Sequence, residues 1–210
     1  MNTAGARLAG ELHLPPNPNG FVLFASSRDS GRIDRRQVSL SGALNQRGLG
    51  TLLFDLVEAN DGAGVANDVE TLTERLIDAT EWSLEQWGVA ELPVGYVGSG
   101  LGSAAALSAA ALLGSKIGAI ASHSGRPDLA CEDVGEVRAP TLLVVDADDP
   151  PVAAANATAA TRLRCPHRLR KVKIDGKQVG TWQATPAICR WMEWHLGAPE
   201  VPYEHSLTLD

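Results

Sequence analysis

The stretch that most constrains the fold runs from Leu92 to Leu113 and reads LPVGYVGSGLGSAAALSAAALL. The short apolar run over residues 94–97 follows a proline and is typical of a buried strand. Three glycines then fall within the five residues from Gly98 to Gly102, and an alanine-rich run follows them. The pattern predicts a strand, a sharp turn and a helix that packs closely on a sheet.

The turn has the spacing of the G-x-S-x-G pattern. In that pattern a strained strand-to-helix turn, the nucleophile elbow, holds a serine hydroxyl free above the sheet. The five residues here are Gly98, Ser99, Gly100, Leu101 and Gly102. The apex is therefore Gly100, and the position of the nucleophile carries no side chain.

Four further segments occur in a definite order around this turn: GFVLFA at residues 20–25, GLGTLLFDL at 48–56, SGRPDLA at 124–130 and RAPTLLVVDADDPPV at 138–152. Together with the turn, they resemble the small dienelactone-hydrolase-like members of the α/β-hydrolase superfamily, whose elbow commonly reads G-Y-F-G-A-S-T-G. The resemblance implies an α/β fold of the α/β-hydrolase type, with a mostly parallel central sheet, helices on both faces and no separate lid domain.

The resemblance also implies where a catalytic triad would lie. Asp149, in DADDPPV, falls at the position of the family's acid, and Gly100 falls at the nucleophile. Alignment by the glycine of DGKQVGT puts Val179 at the family's histidine, and no histidine occurs from Ile174 to Trp194. Two of the three triad side chains are therefore absent from their expected positions.

The resemblance further implies a ligand site above the elbow. Ser26 and Ser27 stand where the family has a His-Gly segment that helps to form the oxyanion hole. We expect Ser26, Ser27, Arg32, Leu101 and His123 to line this site, with His123 at its rim. The arginines of residues 28–36 are read either as a group that holds an anion or as part of a solvated loop and helix start.

Three functions stay open at this point. The first is a protein that has lost hydrolytic activity and binds a ligand or a protein. The second is an active ester or lactone hydrolase with a displaced nucleophile, Ser99, together with Asp149 as acid and His123 as base. The third is a structural or interaction protein with a filled cleft, for which Trp82 and the edge strand are the candidate contact surfaces.

Composition sets the wider expectations. With 210 residues and 44% hydrophobic content, the chain is predicted to form a single domain over residues 1–210, with a polar C-terminal segment from about residue 198. The net charge of −7 argues against nucleic-acid and anionic-membrane partners. We expect a soluble, cytoplasmic protein with a small-molecule or protein partner, and a homodimer is left open.

No metal site or cofactor is predicted. Asp146, Asp148 and Asp149 crowd one loop but lack the remaining spacing of a calcium loop, so they are interpreted as loop caps. The three cysteines are widely spaced and contain no C-x-x-C pair, which argues against a zinc site.

Several outer elements can also be predicted. An outer strand is expected over residues 6–14, a long helix over about 66–87 and a last helix over about 184–196. The segment from Arg168 to Ile174 mixes basic and apolar residues and is interpreted as a charged edge strand, with an anion-binding patch as the alternative.

Overall fold

The computed structural model of the chain describes residues 2–3, 6–27, 35–58, 61, 64–86, 88–130, 132–173 and 183–197. The predictions for Arg32, for Val179 and for the segment from residue 198 lie outside these residues. The single domain over residues 1–210 stays a prediction.

The described residues contain nine β-strands. They are β1 (Asn2–Thr3), β2 (Ala6–Arg7), β3 (Gly10–His13), β4 (Gly20–Ser26), β5 (Leu49–Asp55), β6 (Val94–Ser99), β7 (Ile117–His123), β8 (Thr141–Asp146) and β9 (His167–Val172). They also contain five α-helices. These are α1 (Arg35–Asn45), α2 (Val69–Leu84), α3 (Gly102–Leu113), α4 (Pro150–Arg162) and α5 (Thr185–Leu196).

Seven of the strands form one sheet in the order β3-β5-β4-β6-β7-β8-β9, while β1 and β2 form a separate short ladder. Strand β3 pairs with β5 in the antiparallel direction, and every other pair in the large sheet is parallel. The carboxyl ends of β4 to β9 therefore meet at one edge of the sheet, where open α/β folds place their ligands.

Alternation along the strands divides the core between two faces of the sheet. On the first face Leu23 and Tyr96 pack with buried residues of α2 and α3. On the second face Phe24 and Val97 pack with buried residues of α1 and α5. Parallel strands that are covered on both faces need apolar residues on both, which explains the continuous apolar runs in the sequence.

Helix α3 is the most deeply buried helix of the described chain, since every residue from Gly102 to Ala110 is buried. Its alanines and glycine present little side-chain volume, so the helix axis approaches the sheet closely. This explains why the segment is alanine-rich, and it confirms the strand, turn and helix predicted from residues 92–113.

Other predicted elements hold with shifted ends. The predicted outer strand over residues 6–14 is two short strands, β2 and β3. The long helix, α2, begins later than predicted because Asp68 ends the preceding turn and its carboxylate accepts a hydrogen bond from Glu70 N. The helix also ends earlier than predicted, at Leu84. Trp82 is partly buried and packs against the first core. No helix in the described ranges has both the length and the apolar character needed to span a bilayer.

Candidate functional site

The turn between β6 and α3 has the backbone geometry of a nucleophile elbow. Strand β6 ends at Ser99, helix α3 begins at Gly102, and Gly100 between them has a φ of +56°. This is the left-handed region, which costs a residue with a Cβ roughly 1–2 kcal/mol and costs glycine little. The conformation that would be strained for a serine is therefore relaxed at Gly100.

The flanking glycines are required by packing. A Cβ on Gly98 would lie 2.7 Å from Ser103 Cα, and a Cβ on Gly102 would lie 2.1 Å from the carbonyl oxygen of Ala25. These distances involve backbone atoms, which cannot move aside as a flexible side chain can. The two outer glycines of the motif thus hold α3 against β4 and β6.

Within the part of the chain that the structure describes, little occupies the space in front of Gly100. Among the described residues, a Cβ on Gly100 would have one atom within 4 Å, the hydroxyl oxygen of Ser27 at 3.7 Å. The apex therefore points toward the loop after β4, where Ser27 is half-buried. This brings together two of the positions that the sequence predicts for the site.

Backbone donors also face this region. The Leu101 amide lies just before α3, and within the described parts of the chain it has no hydrogen-bond acceptor. The first amides of a helix lack intrahelical acceptors and attract negative charge. Leu101 N–H, next to the apex in the chain, and the Ser27 hydroxyl, 3.7 Å from a Cβ built on Gly100, are therefore candidate donors at the site.

The loop after β7 supports the elbow from the other side. Arg126 N donates to the carbonyl of Gly100 at 2.9 Å. The Arg126 guanidinium in turn binds both carboxylate oxygens of Asp128, at 2.9 and 2.8 Å, and holds the pKa of that carboxyl below its usual value. The loop thereby fixes the orientation of the apex peptide.

A buried polar cluster lies behind the turn. Ser122 Oγ donates to Ser103 Oγ at 2.9 Å, and Asn156 Nδ2 donates to the carbonyl of Gly125 at 3.0 Å. A Cβ on Gly125 would lie 1.9 Å from Ser103 Oγ, so this glycine is needed for the close approach. Ser103 therefore has a structural role, joining α3 to β7.

The acids after β8 cap backbone amides. Asp149 Oδ1 accepts from Val152 N at 3.1 Å at the start of α4. Asp146 Oδ1 accepts from Asp148 N at 3.0 Å. The interpretation of these residues as loop caps is confirmed, and the role of Asp149 as a triad acid stays a prediction. Among the described residues, no group of three or more His, Cys, Asp or Glu side chains could hold a metal ion.

His123 ends strand β7 and is largely buried, and its place at the rim of the ligand site stays a prediction. Strand β7 extends to His123, and the residue is only 5% exposed. It lies beside Ser124, with Nε2 and the Ser124 hydroxyl oxygen 3.4 Å apart. The strand is one residue longer than the apolar pattern indicates, and this extension draws His123 into the fold.

Ser99 and His123 are register partners on neighbouring strands. Val97 and Ala121, which precede them by two residues, both pack in the second core. Because side chains alternate along a strand, Ser99 and His123 point to the same face of the sheet, the face of α1 and α5. The sequence separates them by 24 residues, so this pairing depends on strand order and could not be inferred from a motif.

Ser26 extends this arrangement. It is 3% exposed and follows Phe24 by two residues on β4, the strand beside β6. Ser26, Ser99 and His123 therefore end three adjacent strands on one face of the sheet. Arg32 and Val179, the other predicted positions of the site, fall in ranges the structure does not describe.

Comparison with known proteins gives one consistent relationship. No protein-family model matches the chain. A "Putative phosphoribosyl transferase" of Mycobacterium tuberculosis H37Rv is 38% identical over 200 residues, which are 91% of this chain and 45% of that protein. The chain thus spans less than half the length of this curated relative.

The structural relatives are hydrolases. A dienelactone hydrolase from Anabaena variabilis is 32% identical, with a TM-score of 0.83 over 93% of this chain and 95% of that one. Est1E from Butyrivibrio proteoclasticus, solved with ferulic acid bound, is 16% identical, with a TM-score of 0.76 over 92% and 97% of the two chains. The second likeness concerns the fold alone. The identity and nearly complete coverage of the first show that the chain belongs to the dienelactone-hydrolase-like family of the α/β-hydrolase fold.

Proposed function

We propose that this chain is a dienelactone-hydrolase-like protein without hydrolytic activity, and that it binds a small carboxylate-bearing ligand at the elbow. The observation that carries the proposal is the geometry of Gly100. The apex keeps the backbone conformation of a nucleophile and faces open space, but it has no side chain to attack a substrate.

The chemistry of the family supports the loss of activity. Acyl transfer needs a nucleophile, a base that takes its proton and an acid that orients the base. Removal of a triad serine or histidine costs a factor on the order of a million in turnover. Position 179, aligned with the family's histidine, is a valine, and the Asp149 carboxylate already caps α4.

The donors around the apex support binding of an oxyanion. The Ser27 hydroxyl oxygen lies 3.7 Å from the position of a Cβ on Gly100, and Leu101 and the N-terminal end of α3 follow the apex directly in the chain. A hydroxyl and an amide that would stabilise the charge of a reaction intermediate can also bind a stable carboxylate. With the nucleophile's side chain absent, that carboxylate can approach the helix terminus directly.

The first experiment measures hydrolysis of p-nitrophenyl acetate by the wild type, by Gly100→Ser and by the Gly100→Ser, Val179→His double variant. Gly42→Ser is the matched control, because Gly42 lies on α1 and a Cβ there meets no described atom within 4 Å. We expect no turnover by the wild type or the control, and a gain of activity in the double variant. Turnover by the wild type would contradict the proposal.

The second experiment measures benzoate binding by calorimetry. Ser27→Ala removes one hydrogen bond to a charged group and should weaken binding by roughly tenfold. Ser39→Ala, at an exposed position on α1, should leave the affinity unchanged. If benzoate does not bind, or binds Ser27→Ala as tightly as the wild type, the carboxylate site is wrong.

A displaced hydrolase is a second candidate, favoured by one observation. Ser99 and His123 are register partners on the same face, which would place a hydroxyl beside an imidazole that can take its proton. In this case the wild type hydrolyses p-nitrophenyl acetate, Ser99→Ala abolishes the reaction and Ser39→Ala does not. Activity that survives Ser99→Ala would exclude this serine as the nucleophile.

A protein partner is suggested by the longer relative. The mycobacterial protein carries more than half of its length outside the aligned part, and we propose that its phosphoribosyl transferase name belongs to that remainder. A partner of this class is tested by mixing the present chain with the unaligned segment in analytical size-exclusion chromatography. Co-elution, prevented by excess of the relative's own aligned part, is the expected result.

We also propose that the protein is located in the cytoplasm, which cell fractionation tests.

A further inference from the structure

Strand β9 forms one edge of the large sheet and carries an unusual charge. Its residues Arg168, Arg170 and Lys171, and Lys173 directly after it, are all exposed, and we call these four residues the basic edge. The segment from His167 to Lys173 contains no acidic residue, although the chain has 25 acidic and 18 basic residues. A strongly positive strand therefore lies at the side of an acidic protein.

The four cations are not engaged within the described structure. None of them forms an ion pair with another described residue, whereas Arg126 and Arg75 each have a carboxylate partner. Four like charges within six residues repel one another, and they raise the local potential along the strand. Without an oppositely charged partner, the repulsion among these four charges destabilises the folded protein.

Protection of the sheet edge does not require so much charge. At the opposite edge, all four residues of β3 are exposed, and the sequence there is GELH with the single carboxylate of Glu11. One charge is a usual means of preventing unwanted strand pairing. Strand β9 carries three cations and Lys173 adds a fourth directly after it, against one charge on β3, so edge protection alone does not account for the basic edge.

The backbone of β9 is also placed to accept another strand. The carbonyls of Pro166 and Val172 accept hydrogen bonds from the β8 side, from Thr141 N and Ala147 N. Since successive residues direct their backbone groups to opposite sides of a strand, His167, Leu169 and Lys171 direct theirs outward. Among the described strands, β8 is the one that pairs with β9.

The basic side chains lie on both faces of the sheet. Leu169 packs against the first core and Val172 against the second. By alternation Lys171 and Lys173 lie on the face of Leu169, and Arg168 and Arg170 lie on the face of Val172. An added strand would place its own side chains beside these residues on both faces, about 5 Å away.

We propose that the basic edge is a docking site for an acidic, extended segment of another protein, which pairs with β9 as an additional strand. Main-chain hydrogen bonds supply part of the affinity in such complexes, and side-chain pairing supplies the specificity. A second copy of this chain is disfavoured at the site, because a symmetric pair would oppose two basic strands. A nucleic-acid strand is disfavoured because its phosphates cannot reach both faces, and β9 has no Phe, Tyr or Trp for a base to stack on.

The probe is a glutamate homopeptide of about ten residues, long enough to span a typical strand. Its binding is measured by fluorescence anisotropy at low salt. The Arg168→Glu, Arg170→Glu double variant should bind at least about tenfold more weakly. The matched control is Lys116→Glu, Arg190→Glu, which changes the net charge equally at exposed positions away from β9 and should bind as the wild type does.

Two further arms separate strand pairing from simple attraction. A peptide of the same sequence with alternate residues N-methylated keeps the charge but loses main-chain donors, and it should bind several-fold more weakly. Hydrogen exchange at Leu169 and Lys171 should slow when the unmodified peptide is added. The proposal is overturned if the control variant weakens binding as much as the double variant, if N-methylation has no effect, or if oligothymidylate of equal charge binds more tightly.

Discussion

The guanidinium of Arg75 binds the carboxylate of Asp61 through two nitrogens, at 2.5 and 3.0 Å. Arg75 lies on α2 and Asp61 in the loop after β5. The same Arg75 also donates to the carbonyl of Leu56 at 2.8 Å, while Glu58 N donates to Asp61 at 2.6 Å. One buried cation therefore holds the loop that follows β5 at the carboxyl edge of the sheet.

We predict that Arg75→Met destabilises the protein. The two side chains are 6% and 12% exposed, and loss of one partner leaves the other charge without compensation. We expect a loss of about 2 kcal/mol in the free energy of unfolding, below the range for fully buried pairs because Asp61 reaches solvent on one side. Urea unfolding measures it. Arg164→Met is the control, since its partner Glu136 is 3.6 Å away and both are largely exposed, and it should change stability little.

The same pair predicts a dependence on pH. The hydrogen bond from Arg75, opposed by burial, lowers the pKa of Asp61 from its usual 3.8. A carboxyl with a depressed pKa in the folded state contributes stability above its unfolded pKa and loses it as the pH falls through the folded value. The urea midpoint of wild-type unfolding should therefore decrease as the pH is lowered below about 4. The midpoint of Asp61→Asn should decrease less steeply over the same pH range. Equal slopes would contradict this assignment.

The glycines of the elbow should differ in their tolerance of alanine. Gly102→Ala places a Cβ against the Ala25 carbonyl and should cost more than about 3 kcal/mol, or prevent folding. In Gly100→Ala the added Cβ would meet no described backbone atom within 4 Å. Its cost in the free energy of unfolding should be roughly 1–2 kcal/mol, for the left-handed backbone alone. Gly42→Ala, in α1, should stabilise slightly. Thermal melts of the three variants test this order, and a tolerated Gly102→Ala would show that α3 is not held as described.

Removal of the Tyr96 hydroxyl and removal of the Thr80 hydroxyl should destabilise the protein by different amounts. Thr80 Oγ1 donates to the carbonyl of Leu76 and lies 2.7 Å from the Tyr96 hydroxyl, so the phenol donates to Thr80. Burial outweighs this bond and keeps the pKa of Tyr96 above its ordinary value. Tyr96→Phe should cost about 1 kcal/mol. Thr80→Val leaves the phenol without a partner and should cost more, which a double-mutant cycle measures by chemical denaturation.

The sequence predicts the parts of this protein that depend on local patterns. The strand, turn and helix at residues 92–113 follow from apolar runs, glycines and alanines, and the structure confirms them. The charged edge strand is also confirmed, as β9 (His167–Val172), because a mixture of basic and apolar residues suits a strand that pairs with a neighbour along one edge only. Asp146 and Asp149 are correctly interpreted as caps, since the carboxylate of each accepts a hydrogen bond from a backbone amide within three residues.

Features that depend on the order of strands in the sheet cannot be predicted from local sequence patterns. The pairing of Ser99 with His123 arises because β6 and β7 are neighbours in register, and the burial of His123 follows from one further residue of strand. Arg75 and Asp61 belong to different elements, and nothing in their spacing indicates a bond. The sequence singles out both partners of the first pair as site candidates, but it does not predict that they face each other on neighbouring strands.

The sheet order has a consequence for synthesis on the ribosome. From β6 to β9 the order of the strands in the sheet follows the order of synthesis, so in a chain that folds as it is made each of β6, β7 and β8 would for a time be the outermost strand. None of these three contains a lysine or arginine, and exposed apolar edges of this kind are prone to wrong pairing. Among β6 to β9, strand β9 is the first to carry lysine or arginine side chains. Pauses in translation between β6 and β9 would therefore expose the nascent protein to aggregation, and completion of β9 ends that exposure.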